Sequence, residues 1–187
     1  MPVRVVTDST SDLPADLVEG LDIAVVPLNI HFDTETFKDG IDLLPDNFYR
    51  RLIDGPVLPK TSQPSVGHFA EVYDRLGGEA DGIVSVHVSS MLSGTFNSAV
   101  QGASQASVSC PIEVVDTLRV SMSAGIVAMM AARAAKMGAD MEAVVGVARD
   151  AVERCRCIAM LDTLEYLEKG GRIGKAKALV GSLLKIR

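Results

Sequence analysis

Gly82-Ile83-Val84-Ser85-Val86-His87-Val88 runs directly into Ser89-Ser90-Met91-Leu92-Ser93-Gly94-Thr95, and an Ala/Ser/Gln-rich segment from Phe96 to Ser107 follows. A short apolar run bounded by turn residues is expected as a buried strand, and the segment after it as a helix. A strand, a hydroxyl-rich turn and a helix in that order leave unpaired N–H groups at the helix N-terminus, beside the positive end of the helix dipole. Such a turn suits a carboxylate or a phosphate. The same residues equally fit a plain capping role, with Ser93 or Thr95 closing the start of the helix.

The pattern repeats on either side. Val3-Arg4-Val5-Val6 predicts a strand that ends in Thr7-Asp8-Ser9-Thr10-Ser11-Asp12-Leu13-Pro14, and Ile112 to Thr117 predicts another that ends in Asp116-Thr117. Lys60-Thr61-Ser62-Gln63-Pro64-Ser65 is a further polar loop, before a helix in which Phe69, Val72, Tyr73 and Leu76 recur at helical spacing. Pro27 divides the apolar stretch from Ile23 to Phe32 and implies a bend or an edge. Helices are expected around 45–53, 121–136 and 141–154. Alternating strands and helices predict an α/β fold, a parallel sheet in a three-layer α/β/α domain over residues 1–154. Ligands of such sheets lie at the carboxyl ends of the strands, where the four polar turns are expected to gather.

Beyond Arg154 the pattern changes. Cys157 to Leu161 is expected as a strand, Thr163 to Lys169 as a short helix, Gly170 to Gly174 as a basic loop and Ala176 to Leu184 as a helix, with a strand beginning at Lys185. Two elements and a lone strand do not make a stable domain, so residues 155–187 are expected either to begin a second, α+β domain, incomplete here, or to pack on the first.

Composition limits the functional classes. A hydrophobic content of 48% with mean hydropathy +0.25 supports a folded core, and the net charge of −6 argues against a general nucleic-acid binder. The charge is divided: 10 basic against 20 acidic residues up to Asp150, then 8 against 4, so the tail is net basic and suited to an anion or an acidic neighbour. Cys110, Cys155 and Cys157 have no metal-like spacing and are expected as free thiols in a reducing, cytoplasmic compartment. No stretch reaches the roughly 20 apolar residues of a membrane span.

Familiar catalytic signatures are absent from the sequence. Gly170 to Lys175 has the wrong spacing for a phosphate-binding loop, and Ala176 stands where a magnesium-holding hydroxyl belongs. His31, His68 and His87 are far apart in sequence, which suits ordinary structural roles. His87, three residues before Ser90, leaves open a serine hydrolase that uses Ser90 or Ser93 with His87. Arg172, between glycines, could meet a carboxylate or phosphate bidentately, or simply be solvated.

Taken together, Asp8 to Pro14, Asp39-Gly40, Thr61-Ser62-Gln63-Pro64-Ser65, Ser89 to Thr95, Val115-Asp116-Thr117 and Leu164 to Ile173 resemble the DegV family, in order and over essentially the whole chain. The resemblance implies a bacterial two-domain α/β protein that holds a long-chain fatty acid between its domains, acyl chain buried and carboxylate near the surface. It further implies no enzyme activity and no cofactor. The protein would be the lipid-binding subunit of a fatty acid kinase, presenting the carboxylate to an ATP-binding partner that forms an acyl phosphate for phospholipid synthesis. On this pattern Thr61 and Ser93 hydrogen-bond the carboxylate, Ser62, Thr95 and Ser9 complete the ligand-binding set, and Arg172 serves phosphoryl transfer or the partner. Asp116-Thr117 stands where the family more usually has Asp-Ser. Family members usually run on, completing the second domain with a further histidine near the carboxylate, so this chain is expected to stop within that domain.

Overall fold

In a computed structural model, residues 2–174 are described. Strands β1 (Val3–Asp8), β2 (Ile23–Val26), β6 (Gly82–His87) and β7 (Ile112–Asp116) form one parallel sheet in the order β2-β1-β6-β7. Side chains alternate across it, as the period of two requires. Val3, Val5, Val84 and Val86 enter a core with the alanine-rich helices α5 (Met122–Lys136) and α6 (Met141–Arg154). Val6 and Ile83 point to the opposite face, against Phe69, Val72 and Tyr73 of α3 (Val66–Gly77) and Ala99 of α4 (Thr95–Gln105). This is the three-layer α/β/α arrangement expected from the alternation of elements.

Small residues set the spacing between layers. On α5, a Cβ added to Gly125 would lie 2.4 Å from the Ser11 carbonyl oxygen, so the helix packs onto the turn after β1 at backbone contact. Gly102 of α4 performs the same service against α3, where a Cβ would lie 2.5 Å from that of Phe69.

A second sheet was not anticipated by the reading of the sequence. Pro27 does break the 23–32 stretch, but the two halves part company: β2 joins the parallel sheet, and β3 (Asn29–Phe32) pairs antiparallel with β4 (Glu35–Lys38) and with β5 (Lys60–Ser62). Ile30, Phe32 and Leu43 form its small core, with Phe37 and with Phe48 of α2 (Pro45–Asp54). Strands of three or four residues carrying His31, Thr36, Lys60 and Thr61 have too little apolar alternation to announce themselves. The Lys60–Ser65 segment is therefore part strand, and only the turns after β1, β6 and β7 end strands of the parallel sheet; the fourth polar segment approaches from the second sheet.

The remaining elements are α1 (Ala15–Gly20), preceded by a 3-10 turn at Ser9–Ser11, and α7 (Glu165–Lys169). The expected strand at Cys157–Leu161 is not formed: Ile158 and Met160 are 95% and 94% exposed, and no strand among the described residues lies beside them. A ladder needs a partner to satisfy its N–H and C=O groups, whatever the apolar pattern of the segment. Cys155 is half-buried and Cys157 exposed, so the two thiols do not share a strand face. The helix expected at 176–184 and the strand expected from 185 lie outside the described residues. No helix among the described residues is long and apolar enough to cross a membrane.

Candidate functional site

The carboxyl edge of the parallel sheet holds the turn from Ser89 to Thr95, and almost every backbone group at its root is fastened. Two carboxylates do much of this. Asp8, at the end of β1, accepts from Val88 N at 3.1 Å. Asp116, at the end of β7, accepts from Ser90 N at 3.2 Å and from Leu118 N at 2.9 Å through the same oxygen. Between them, Ser89 N donates to the Arg119 carbonyl at 2.9 Å, and Thr117 donates both its N–H and its hydroxyl to the His87 carbonyl. The turn then closes on itself, with Leu92 N and Ser93 N both donating to the Ser89 carbonyl.

At the tip, α4 starts at Thr95 with Gly94 as its N-cap and no side chain capping it. Of its first-turn N–H groups, that of Thr95 is taken by Ser93, and those that follow lie at the positive end of the helix dipole. Ser93 Oγ accepts from Thr95 N at 3.3 Å and lies 2.9 Å from Thr95 Oγ1. Thr95 is fully buried whereas Ser93 is half-buried, so Ser93 presents the accessible hydroxyl. If Thr95 Oγ1 donates to it, Ser93 keeps its own proton for a ligand.

The second sheet brings the other hydroxyls. Thr61 is exposed on β5 opposite Ile30. Ser62 Oγ accepts from Asn29 Nδ2 at 3.2 Å and lies 2.9 Å from His31 Nε2, while His31 Nδ1 lies 2.9 Å from Thr36 Oγ1. Ser62 thus belongs to a cross-strand network that holds β5 in place. Next in the chain, Gln63 covers Gly94: a Cβ added there would lie 2.7 Å from Gln63 Nε2. That close approach brings the Thr61–Gln63 segment against the Ser93 turn.

Ser9 is a bridge between the sheets. Its hydroxyl donates to Asp39 Oδ2 at 2.7 Å and accepts from Leu28 N at 3.1 Å, so its one proton is already engaged. Burial, helped by the nearby Asp12 and Asp8 charges, raises the pKa of Asp39 above the ordinary carboxylate value, against the lowering effect of the Ser9 bond. An open groove of about 520 Å³ lies between these loops, lined by Ser9, Ser11, Asp12, Pro27 and Asp39 among others, and neither Thr61 nor Ser93 lines it. Arg172 follows α7 and donates to the Gly170 carbonyl at 2.6 Å. Its backbone N–H donates to the Leu167 carbonyl of α7 at 2.9 Å.

His87 is not available to Ser90 or Ser93. It is fully buried, with Nε2 2.7 Å from Ser85 Oγ and Nδ1 2.9 Å from Asp8 Oδ2. Ser85, His87 and Asp8 have the outline of a hydrolytic triad, but Ser85 is fully buried and Tyr73 Oη lies 2.8 Å from its hydroxyl. A nucleophile with no surface cannot meet a substrate, and the alternative of a hydrolase that uses Ser90 or Ser93 with His87 is ruled out, since both ring nitrogens of His87 are engaged by Ser85 and Asp8. The reason is strand geometry: His87 and Ser85 point to the same face of β6, two residues apart. Burial would raise the pKa of Asp8, but the hydrogen bond from His87, with those from Thr10 and Val88, outweighs it and holds the carboxyl below its ordinary value.

Asp8, Asp116, Asn29 and Gln63 were not singled out as site residues from the sequence. For the two aspartates a signal existed, since each ends a strand and precedes a hydroxyl, Ser9 or Thr117. Among the described residues no group of three or more His, Cys, Asp or Glu is arranged to hold a metal ion.

Comparison with known proteins places this geometry in context. The model of the DegV family, described as an uncharacterised protein family, matches residues 2–187. A DegV domain-containing protein of Caldanaerobacter subterraneus is 35% identical over 99% of this chain and 65% of its own length. Among solved structures, DegV of Bacillus subtilis, described as a fatty acid binding protein, is 35% identical with a TM-score of 0.88, covering 100% of this chain and 66% of that one. A DegV family protein of Thermus thermophilus, described for its fatty acid binding, is 36% identical with a TM-score of 0.82 over 99% of this chain and 65% of that one. The chain thus spans about 65% of the length of these relatives. With the family model matched over almost its full length, the chain belongs to the DegV family.

Proposed function

We propose that this chain binds a long-chain fatty acid as a carrier rather than an enzyme, with Ser93 and Thr61 donating hydrogen bonds to the carboxylate. The observation that carries the reading is the packing of Gln63 over Gly94, which sets the Thr61 segment beside the start of α4 and the hydroxyl of Ser93. Relatives from B. subtilis and T. thermophilus described as fatty acid binding proteins support the ligand class. Thr95, buried behind Ser93, orients its hydroxyl; Ser62 and Ser9 take part through the loops that they hold. Residues 155–187 begin the second domain that would cover the acyl chain.

The energetics fit this division. Burying the methylenes of a chain of about 16 carbons at roughly 0.8 kcal/mol each amounts to more than 10 kcal/mol before the costs of binding. The head group then needs orientation more than attraction. Hydroxyl and amide donors supply that without neutralising the carboxylate, which stays nucleophilic. In the proposed reaction the carboxylate is presented to a partner kinase, which transfers a phosphoryl group from ATP to form an acyl phosphate, with Arg172 beside the transfer position or at the partner's surface.

Solvent extraction of the natively purified protein, followed by mass spectrometry, is expected to release a saturated or monounsaturated fatty acid; recovery of none overturns the reading. Ser93→Ala combined with Thr61→Ala removes hydrogen bonds to a charged group at about 1.5 to 3 kcal/mol each, so affinity is expected to fall by about a hundredfold or more. Arg172→Ala is expected to leave lipid binding unchanged and to slow phosphorylation by the kinase. Equal loss of lipid binding in that variant contradicts its assigned role.

A further inference from the structure

Beneath the carboxyl edge runs a buried chain of polar side chains that the carboxylate site does not itself use: Tyr73 Oη, Ser85 Oγ, His87 and Asp8, linked at 2.8, 2.7 and 2.9 Å. Tyr73, Ser85 and His87 are fully buried and Asp8 is 1% exposed. Burial of four polar groups is costly unless every donor and acceptor is paired. One arrangement of protons satisfies all of them: Tyr73 donates to Ser85, Ser85 donates to Nε2 of a neutral imidazole, and Nδ1–H of His87 donates to Asp8 Oδ2. The other oxygen of Asp8 accepts from Thr10 N at 3.1 Å and from the Thr10 hydroxyl, while Oδ2 also takes Val88 N.

Asp8 therefore holds two loops at once. Through Thr10 it shapes the turn that contains Ser9, and through Val88 it fixes the root of the turn that carries Ser93. What aims the carboxylate at both is His87, whose ring is itself clamped edge-on by Phe69 at 5.0 Å between centroids. We propose that His87 is a positioning residue for the hydroxyl site: by donating from Nδ1 to Asp8 it registers the Ser9 and Ser93 turns against each other. The inference rests on the proposed carboxylate site and adds the group that sets its geometry.

Two variants separate positioning from core filling. In His87→Asn the side-chain amide N–H occupies about the place of Nδ1, so the donor to Asp8 survives while a cavity opens toward Ser85. In His87→Gln the amide reaches about as far as Nε2; volume is nearly kept and the Nδ1 donor is lost. Stearate is the probe, titrated into the full chain well below the unfolding temperature, with thermal stability measured alongside. Positioning by His87 predicts that His87→Asn binds within about threefold of wild type although it is less stable, and that His87→Gln binds roughly tenfold more weakly, as expected when one hydrogen bond to a charged group is lost. Affinities that follow stability instead, with Gln above Asn, overturn the proposal. If the unaltered chain binds no stearate, the fatty-acid reading fails, and the ligand-free proteins still decide this one. His87→Gln is then expected to shift the amide resonances of Thr10, Val88 and Ser93 together, His87→Asn to leave them near wild type, and an unshifted set in His87→Gln overturns it.

Discussion

Asp8 is the residue on which local chemistry and architecture meet. Its folded-state pKa lies below the unfolded one, so its stabilisation is complete above the ordinary carboxylate value of 3.8 and is lost as pH falls through that value toward the lower folded one. Asp39 has the opposite sign. Burial first, then Asp12 and Asp8, raise its pKa, so its ionisation costs stability as pH climbs through the ordinary carboxylate range. Asp39→Asn is therefore expected to raise the thermal midpoint at neutral pH, since Asn can still accept the Ser9 hydroxyl, and to confer no gain at a pH below 3.8. Unfolding curves of both proteins across that range check the sign; a variant less stable than wild type at neutral pH contradicts it. Asp8 and Asp39 thus report opposite electrostatic designs within one cluster of loops.

At the scale of elements, close packing rather than propensity decides where the loops lie. Helix α5 has the small-residue face Ala124, Gly125, Ala128, Ala131, Ala132 and Ala135, all buried. This lets it lie on the parallel sheet and reach the turn after β1. Gly125→Ala improves helix propensity and would be stabilising on an exposed surface. Here the added Cβ meets the Ser11 carbonyl at 2.4 Å, an atom of the backbone that cannot rotate away, so the variant is expected to lose about 1 to 3 kcal/mol. Denaturant unfolding measures it, and an unchanged midpoint would mean that the turn can move. Gly94 differs in kind, because the atoms over it belong to the flexible end of Gln63. Element positions read from periodicity hold well for the long helices: α6 covers Met141–Arg154 as expected, and α5 differs from its expected span by one residue. Short strands held by polar side chains, β3 to β5, carried no such signal.

At the scale of the whole molecule, the three-layer core is closed by α5 and α6, and the segment after α6 leaves it. Arg119 marks that departure, donating to the Val152 carbonyl and to the Cys155 carbonyl, both at 3.1 Å, while its own carbonyl receives Ser89 N. The end of α6 and the root of the Ser93 turn are therefore tied to one residue. Ile158 and Met160, at 95% and 94% exposure, contribute nothing to this core. Replacing both with Ser is expected to change stability by no more than about 0.5 kcal/mol per site, as for surface positions generally, and differential scanning calorimetry provides the check. A larger loss would mean that these side chains are covered in solution. In the fatty-acid reading they are part of the surface that meets the acyl chain, so the same double variant is expected to weaken stearate binding.

The order of apolar runs and polar turns was enough to determine a parallel α/β sheet and to mark Ser89–Thr95, Asp8–Asp12 and Asp116–Thr117 as the strand ends where a ligand belongs, because strand alternation and helix starts are local properties of the chain. The position of the turn that carries Ser93 was legible for that reason. Tertiary structure decided the rest. Which loop faces Ser93 depends on a second sheet built from strands too short and too polar to be read, and the choice of His87 for Asp8 over Ser90 depends on β6 lying beside β1. Hydrogen bonds between residues 79 apart, as in that pair, have no sequence signature, since only the folded chain brings their atoms within reach. The segment at Cys157–Leu161 makes the complementary point: its apolar pattern suits a strand, but backbone groups form one only when another strand is present to bond them.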